Sequence, residues 1–205
     1  MDLPILTSNH APIRHADCCL SLSLKLLEVL TDVCGQNCNR AANRKQTVLS
    51  IGSGTGLLEA LLLEHFQSQS ARQKQENIRI EGVEVQQLGT KAHLNKYLPD
   101  YAAITVRGTW EISPRMRDSD VSILMFTYPR QAALVTQYAQ AALQPDSGIM
   151  LMVWLGPVAD WDEFEPCFCT STGTQLDEHG FKLDGLMQGD EAGIGDYEMM
   201  AVFRR

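Results

Sequence analysis

Apolar runs of strand length alternate along the chain with segments whose apolar residues recur at helical spacing. Residues 120–126 are almost continuously apolar, which is typical of a central parallel strand covered on both faces. The other predicted strands span residues 48–51, 78–85, 102–106, 149–154, 181–183 and 197–203. The predicted helices span residues 16–33, 57–66, 87–98 and 131–143, with a further helix end at 174–179. This alternation predicts an α/β protein with a parallel sheet.

The N-terminal segment departs from this pattern. Pro4 and Pro12 prevent an early helix, so residues 1–15 are predicted to form an irregular arm. Residues 16–33 then place leucines at positions 20, 24, 27 and 30, which predicts an amphipathic helix packed on the sheet. At 205 residues, 44% of them hydrophobic, the chain is long enough for one well-buried core and short for two. We therefore predict a single domain over residues 1–205.

The predicted strand 48–51 runs into a turn with glycine at three alternate positions, Gly52, Gly54 and Gly56. Glycine suits such a turn because it reaches backbone angles closed to other residues, and because a Cβ would keep the backbone away from a ligand. The N–H groups of the following helix then point at any anionic or hydroxyl-rich group above the strand end. A dinucleotide fingerprint would require glycine where Leu57 stands, and no Gly-Lys-Ser/Thr closes a Walker A loop. A glycine-rich turn in another kind of α/β domain is the alternative interpretation.

Charge and composition narrow the range of partners. The formal net charge of -8 and the isoelectric point near 5.1 argue against nucleic acid, whose phosphates would be repelled. No stretch approaches the length of a membrane span and the N-terminus lacks the order of a signal peptide, so we predict a cytoplasmic protein without membrane contacts. The six cysteines show no zinc-site spacing, so we predict free thiols and no metal. The oligomeric state stays open.

The spacing of Gly52, Gly54 and Gly56 resembles motif I of the class I S-adenosylmethionine (SAM) dependent methyltransferases. Residues 142–154 resemble the helix end, turn and fifth strand of that family, and the glycine- and acid-rich segment 187–196 is similar to its last hairpin. The resemblance implies a three-layer α/β/α fold with a doubly wound, seven-stranded, mostly parallel sheet whose strand seven is antiparallel. It also implies that residues 1–33 form an arm and a cover helix over the cofactor.

A cofactor site follows from the ends of the predicted strands. Glu84 ends the second strand, where nucleoside-binding α/β domains place an acid that accepts both ribose hydroxyls, although a surface glutamate is the alternative. The resemblance implies SAM as the cofactor. It assigns cofactor contacts to the loops after strands one to four, namely Gly52, Ser53, Gly54, Gly56, Val85, Gly108, Thr109, Trp110 and Thr127. Trp110 is equally compatible with stacking on the purine and with a place in the core.

Methyl transfer, the activity implied by the resemblance, needs mainly a near-attack geometry and the exclusion of water. A base is required only if the acceptor must lose a proton. The candidates are His10 and His15 in the arm, with Tyr128 as an orienting hydroxyl, although surface or capping roles are the alternative for both histidines. Residues 155–168, rich in aromatic and acidic side chains, are predicted to cover the acceptor, which we expect to be a small organic metabolite.

Two departures from the family pattern motivate a second hypothesis. Ser50 stands where the family has an acid at the end of strand one, and a serine cannot accept from the SAM amine as a carboxylate would. The acid common after strand three is also absent. A protein of this fold without methyl transfer would be a cyclase or lyase acting on a small molecule, or an interaction subunit. Binding of SAM discriminates, because a failure to bind leaves only the cofactor-free alternatives.

Overall fold

The computed structural model describes residues 2–7, 11–36, 45–73, 78–86, 94–168 and 180–205, without the side chains of residues 70–73. The strands in these ranges are β1 Ile13–His15, β2 Cys18–Leu22, β3 Gln46–Ile51, β4 Ile78–Val85, β5 Ala103–Val106, β6 Val121–Thr127, β7 Leu151–Pro157, β8 Lys182–Gln188 and β9 Glu198–Arg204. The helices are α1 Leu24–Gly35, α2 Leu57–Gln73, α3 Ala132–Ala142 and the short α4 Trp161–Phe164. None of these helices is long and apolar enough to cross a bilayer.

One sheet holds seven strands in the order β5-β4-β3-β6-β7-β9-β8. Strands β3 to β7 are parallel to one another, whereas β9 is antiparallel to both β7 and β8. The chain builds from β3 through β4 to β5 on one side and then returns to β6 on the other side of β3. Ligands of such sheets bind at the carboxyl ends of the strands where this direction reverses. The strand order and the antiparallel β9 confirm the predicted fold class.

Helices cover both faces of the sheet and give the predicted three layers. Because strand side chains alternate between faces, Val48 packs on the side of α1 and α2 whereas Leu49 packs on the side of α3 and α4. Ile123 and Leu124 of β6 divide in the same way, and both are fully buried. Burial on both faces explains why β3 and β6 show as apolar runs in the sequence.

Most predicted elements have observed counterparts. Strand β4 has the predicted bounds, and β6, β9 and α3 differ from theirs by about one residue at each end. Helix α2 is longer than predicted and continues to Gln73 through a polar segment. A single turn of 3₁₀ helix, Pro114–Arg117, lies between β5 and β6. Of the helix predicted over residues 87–98, residues 94–97 form turns and residues 87–93 lie outside the described residues, as does the helix end at 174–179.

The N-terminal prediction was wrong in its element type. Residues 13–22 form an antiparallel hairpin, and α1 begins only at Leu24. Ser23 marks the change because its extended backbone and its Oγ, which accepts from the Leu26 N–H at 3.0 Å, cap the helix. Leu20 shares the helical spacing of the later leucines but lies on β2, where it is buried against the same core as α1. The leucine spacing therefore reflected one shared core and not one continuous helix.

The prediction that residues 155–168 cover the acceptor was also wrong. Their aromatic side chains fill the core on the α3 side of the sheet and do not line the cavity described below. Trp161 lies 5.2 Å from Trp154 between ring centroids, and Phe168 stacks on Phe203 at 4.4 Å. Phe164 is 3% exposed. Large aromatic surfaces gain most by burial, so this segment closes the core.

Candidate functional site

A cavity of about 490 Å³ lies at the carboxyl ends of the central strands, where the sheet topology places a ligand site. The turn after β3, the ends of β4 and β5, and the segment after β6 form its walls, and the turn between β1 and β2 forms part of its rim. The predicted residues that line it are Gly52, Ser53, Gly54, Glu84, Val85, Gly108, Thr109, Thr127 and Tyr128. Gly56, Trp110 and His15 do not line it, and His10 lies outside the described residues.

The glycine turn after β3 divides into two parts with different roles. Gly52, Gly54 and Gly56 have φ values of +76°, +60° and +78°, which other residues rarely adopt. A Cβ built on Gly52 or Gly54 would have no atom of the described residues within 4 Å apart from its chain neighbours, so their backbone faces open space in that part of the structure. A Cβ on Gly56 would instead lie 3.0 Å from the side chain of Leu98. The first two glycines therefore keep a cradle open, and the third lets a neighbouring segment pack.

That neighbouring segment supports the turn through Asn95. Its backbone N–H donates to the Gly54 carbonyl at 2.9 Å, and its Nδ2 donates to the Gly82 carbonyl at 3.1 Å. The Ser53 hydroxyl donates to Asn95 Oδ1 at 2.7 Å, so Ser53 is held by the segment although it also lines the cavity. Asn95 is 5% exposed and adopts a φ of 50°. The turn is thus fixed before any ligand arrives.

Glu84 projects from the end of β4 beside this cradle. Its Oε2 accepts from the Gly54 N–H at 2.8 Å, and its Oε1 accepts from the Val85 N–H at 2.9 Å. A carboxylate offers about four acceptor positions, so these two bonds leave capacity for two hydroxyls. The side chain is partly exposed and lines the cavity. The assignment of Glu84 as the ribose anchor stays a prediction.

Glu59 is a cavity residue that the sequence interpretation missed. It lies in the first turn of α2, is 2% exposed, and accepts from the Ser50 hydroxyl at 2.6 Å. Burial raises the pKa of its carboxyl to about 7, although the Ser50 hydrogen bond acts in the opposite direction. A carboxyl group therefore lies beside Ser50, near the end of β3, although the strand itself carries no acid there. The available signal was a single acid within the apolar run Leu57–Leu63.

Glu111 is a second missed acid, in the loop after β5. It lines the cavity and accepts from the Arg107 backbone N–H and guanidinium, which lowers the pKa of its carboxyl. The sequence interpretation found no acid at this point because Glu111 lies beyond the Gly108 turn. Trp110 is 71% exposed, so its placement in the core is excluded, whereas stacking on a purine stays a prediction.

Tyr128 follows β6 in a left-handed conformation, with a φ of 50°. Such backbone strain in a non-glycine residue concentrates at functional sites. Its hydroxyl donates to Glu198 Oε1 at 2.6 Å. Burial and the Glu198 carboxylate raise the pKa of the phenol far above its ordinary value, so it stays protonated. The observed contact suits an orienting hydroxyl and not a proton acceptor, and its part in catalysis stays a prediction.

Glu198 ties three elements to this wall of the cavity. It is fully buried, and besides Tyr128 it accepts from the backbone N–H groups of Ser21 on β2 and of Gly195 before β9. Arg14 of the hairpin donates to the hydroxyl of Tyr197, and its guanidinium lies over the Tyr197 ring at 4.9 Å. The hairpin is therefore anchored to the end of the sheet, beside the segment that carries Tyr128.

The tip of the hairpin is fastened to the glycine turn by Asp17. The Thr55 hydroxyl donates to the Asp17 carbonyl at 2.6 Å, Lys96 Nζ lies 2.7 Å from its Oδ1, and the Tyr97 hydroxyl donates to its Oδ2 at 2.7 Å. His15 accepts from the Asp17 N–H through Nδ1 at 3.1 Å, which is a capping contact. The hairpin tip thus lies at the cavity rim, whereas the chemistry assigned to the histidine stays a prediction.

An Asp17→Ala variant is expected to loosen this rim. We expect affinity for SAM to fall on the order of tenfold because the two side-chain contacts of Asp17, with Lys96 and Tyr97, are lost. Titration calorimetry measures the loss, and hydrogen exchange should show residues 13–22 gaining protection when SAM is added to the parent. Asp190→Ala is the matched control, since it breaks an exposed ion pair with Lys25 outside the cavity. Equal affinities of parent and Asp17→Ala would show that the tip plays no part in binding.

Comparisons with known proteins agree with this geometry at the level of the fold. No protein-family model matches the sequence, and no curated protein matches it either. Among solved structures, the methyltransferase domain of bacterial CtHen1-CN is 14% identical with a TM-score of 0.52, the match covering 88% of this chain and 100% of that one. A proposed class I SAM-dependent methyltransferase from Listeria monocytogenes is 8% identical with a TM-score of 0.57, the match covering 88% of this chain and 59% of that one.

A proposed tRNA methyltransferase from Streptococcus pneumoniae is also similar, at 13% identity and a TM-score of 0.47, the match covering 89% of this chain and 70% of that one. The first two structures, with TM-scores above 0.5, share their fold with this chain. The chain therefore has the fold of the class I SAM-dependent methyltransferases.

Proposed function

We propose that this protein transfers a methyl group from SAM to a small organic molecule. The observation that carries the proposal is the open cradle at Gly52 and Gly54, which lies against the Glu84 carboxylate at the switch point of the sheet. Positive φ values fix the cradle, and a Cβ at either glycine would occupy the space that a ligand needs. A cavity of about 490 Å³ is within the usual range for a ligand of this size.

The residues around the cavity fit the parts of SAM. Glu84 suits the ribose hydroxyls, because an ionised carboxylate accepts two such bonds. Glu111, with Gly108 and Thr109, bounds the side next to β5, where its carboxylate suits an exocyclic amine. SAM, when bound, supplies an electrophilic methyl group on a sulfonium. The protein then has to hold the acceptor in line and keep water out, which the hairpin tip and the fixed Tyr128 favour.

The net charge and the rim support a small acceptor. With a formal charge of -8, the surface repels the phosphates of a nucleic acid unless a local basic region intervenes. The hairpin tip, Ala16 to Cys19, and the segment Tyr128 to Gln131 both line the cavity. We infer that the acceptor enters between them. Residues 155–168 are not part of this entrance.

The two departures that favoured a fold without methyl transfer have structural counterparts. Glu59 brings a carboxylate to Ser50, and Glu111 brings one to the loop after β5. Both acids therefore reach the cavity from positions slightly displaced along the chain. This observation favours methyl transfer over the cyclase, lyase or interaction-subunit alternative.

Label transfer tests the proposal. The purified protein is incubated with methyl-labelled SAM and with the small-molecule, RNA and protein fractions of a cell extract, and the label in each fraction is measured. We expect label in the small-molecule fraction and none when Gly54→Val replaces the parent. Label in RNA or protein would overturn the small-molecule substrate. Binding of SAM without any transfer would favour the alternative function, and no binding would exclude SAM as the cofactor.

A further inference from the structure

Glu59 carries a buried carboxylate without a basic partner among the residues that the structure describes. Its one side-chain hydrogen bond comes from the neutral Ser50 hydroxyl. The nearby charged or titratable groups are Glu84 on β4, which repels it, and Cys18 on β2, whose pKa burial raises to about 12, so that the thiol stays neutral. An ionised carboxyl is costly in such a place unless a cation accompanies it.

The position of Glu59 shows where that cation would come from. Glu59 lines the cavity and is only 2% exposed, so the small part of it that the protein leaves uncovered lies at the cavity. Glu84 stands at the end of β4, and Glu59 approaches the end of the neighbouring β3 from α2. The two carboxylates thus flank the Gly52–Gly54 cradle. An elongated ligand lying over the cradle would place its hydroxyls at Glu84 and a cationic group at Glu59.

We propose that Glu59 binds the ammonium group in the amino-acid part of SAM and that Ser50 orients the Glu59 carboxylate for this contact. The inference rests on the proposed function, because it takes SAM as the ligand. Glu59, on α2, would supply the negative charge that Ser50, near the end of β3, cannot supply. Ser50 is fully buried and its hydroxyl holds Oε1 at 2.6 Å. The Glu59 backbone N–H is a second donor to the carboxylate, which still leaves two of its about four acceptor positions for the ligand. Serine at this position is then part of the site and not a lost function.

Two ligands separate the ammonium contact from the rest of the site. S-adenosylhomocysteine carries the ammonium group and a neutral sulfur, whereas 5′-methylthioadenosine keeps the adenine, ribose and sulfur but lacks the amino-acid part. Titration calorimetry of Glu59→Gln should show a loss of about tenfold to a hundredfold for S-adenosylhomocysteine, as for a hydrogen bond to a charged group. Affinity for 5′-methylthioadenosine should change less than about twofold, because additivity holds for a site without contact. Ser50→Ala should show the same selectivity with a smaller loss.

The outcomes distinguish the inference from the proposed function. If the parent binds neither compound nor SAM, the proposed function fails. If the parent binds both compounds and Glu59→Gln weakens both equally, Glu59 supports the turn and the inference fails. Unchanged affinity for S-adenosylhomocysteine in the variant would also overturn the inference.

If Glu59→Gln does not fold, the pH dependence of ligand binding by the parent is measured instead. The preference for S-adenosylhomocysteine over 5′-methylthioadenosine should then decline as the pH is lowered from about 8 to about 5.5, and a constant preference would overturn the inference.

The thermal stability of Glu59→Gln distinguishes a ligand-binding glutamate from a structural one. The folded-state pKa of Glu59, about 7, exceeds its ordinary value of 4.5, so between these values the folded protein binds more protons than the unfolded chain. Without ligand, this group's contribution to stability is present below about pH 4.5 and is lost as the pH rises through about 7. Glu59→Gln should therefore have a higher melting temperature than the parent at about pH 8. A lower melting temperature at that pH would indicate a structural glutamate and contradict the inference.

Discussion

A Gly54→Val variant is expected to fold and to lose affinity for SAM by at least about a hundredfold. The reason is the combination of a φ of +60° with empty space around the position of a Cβ. Among the residues that the structure describes, none but the chain neighbours comes within 4 Å of that position, so the new side chain would project into the cradle where we place the ligand. The left-handed backbone costs a non-glycine residue roughly 1–2 kcal/mol, which lowers stability without removing the fold. Titration calorimetry and urea unfolding measure the two effects separately.

Two other glycines serve as controls for this experiment. Gly189 has a similar φ of +54° but lies outside the cavity, and a Cβ there would lie 3.3 Å from Asp196 Cα. Gly189→Ala should therefore cost at least as much stability as Gly54→Ala and leave SAM binding intact. Gly56→Ala should chiefly destabilise the protein, because its Cβ would lie 3.0 Å from Leu98 and 3.1 Å from Asn95. A folded Gly54→Val variant with the affinity of the parent would show that the cradle holds no ligand.

The sheet and the glycine turn were predictable from the sequence because their signals are local. Strands β3 and β6 are buried on both faces, so each leaves a continuous apolar run whatever the rest of the chain does. The left-handed turn requires glycine, and three alternate glycines mark it directly. Strand β4 follows from the alternation of apolar and charged residues along it, and with it the placement of Glu84 at the cavity.

The N-terminal hairpin was not predictable in this way, because two types of element share one core. Leu20 on β2 and Leu27 and Leu30 on α1 pack into the same cluster. Their spacing in the sequence fits one helix, and only the cap at Ser23 separates the two elements. A serine before a leucine run is a weak signal on its own. The tertiary contacts of the hairpin decided its structure.

The acids of the site were hidden for a different reason. Glu59 reaches Ser50 from the first turn of a helix, and Glu111 reaches the cavity after a turn at Gly108, so neither stands at a strand end. Matching positions to a family pattern therefore finds Ser50 and misses the carboxylate beside it. The aromatic residues from Trp161 to Phe168 gave the opposite error, because composition alone does not distinguish a core segment from a ligand cover.

Glu84 should anchor the ribose, and its removal should weaken every ligand that carries that sugar. Each hydrogen bond to a charged acceptor contributes about 1.5–3 kcal/mol, so Glu84→Ala should lower affinity at least about tenfold. S-adenosylhomocysteine and 5′-methylthioadenosine both contain the ribose, and we expect their affinities to fall together. This pattern differs from that of Glu59→Gln, for which only the first compound should respond.

The Gly54 N–H donates to Glu84 Oε2 at 2.8 Å, so Glu84→Ala also removes a bond that supports the cradle. Glu84→Gln controls for this effect, because an amide oxygen can still accept from Gly54 while the charge and one acceptor group are lost. If charge and acceptor capacity hold the ribose, both variants lose affinity for the two compounds, the alanine variant more strongly. If only the glutamine variant keeps full affinity, Glu84 supports the turn and does not bind the sugar. If both variants bind as tightly as the parent, the surface interpretation of Glu84 is correct, and the ribose has to lie elsewhere in the cavity.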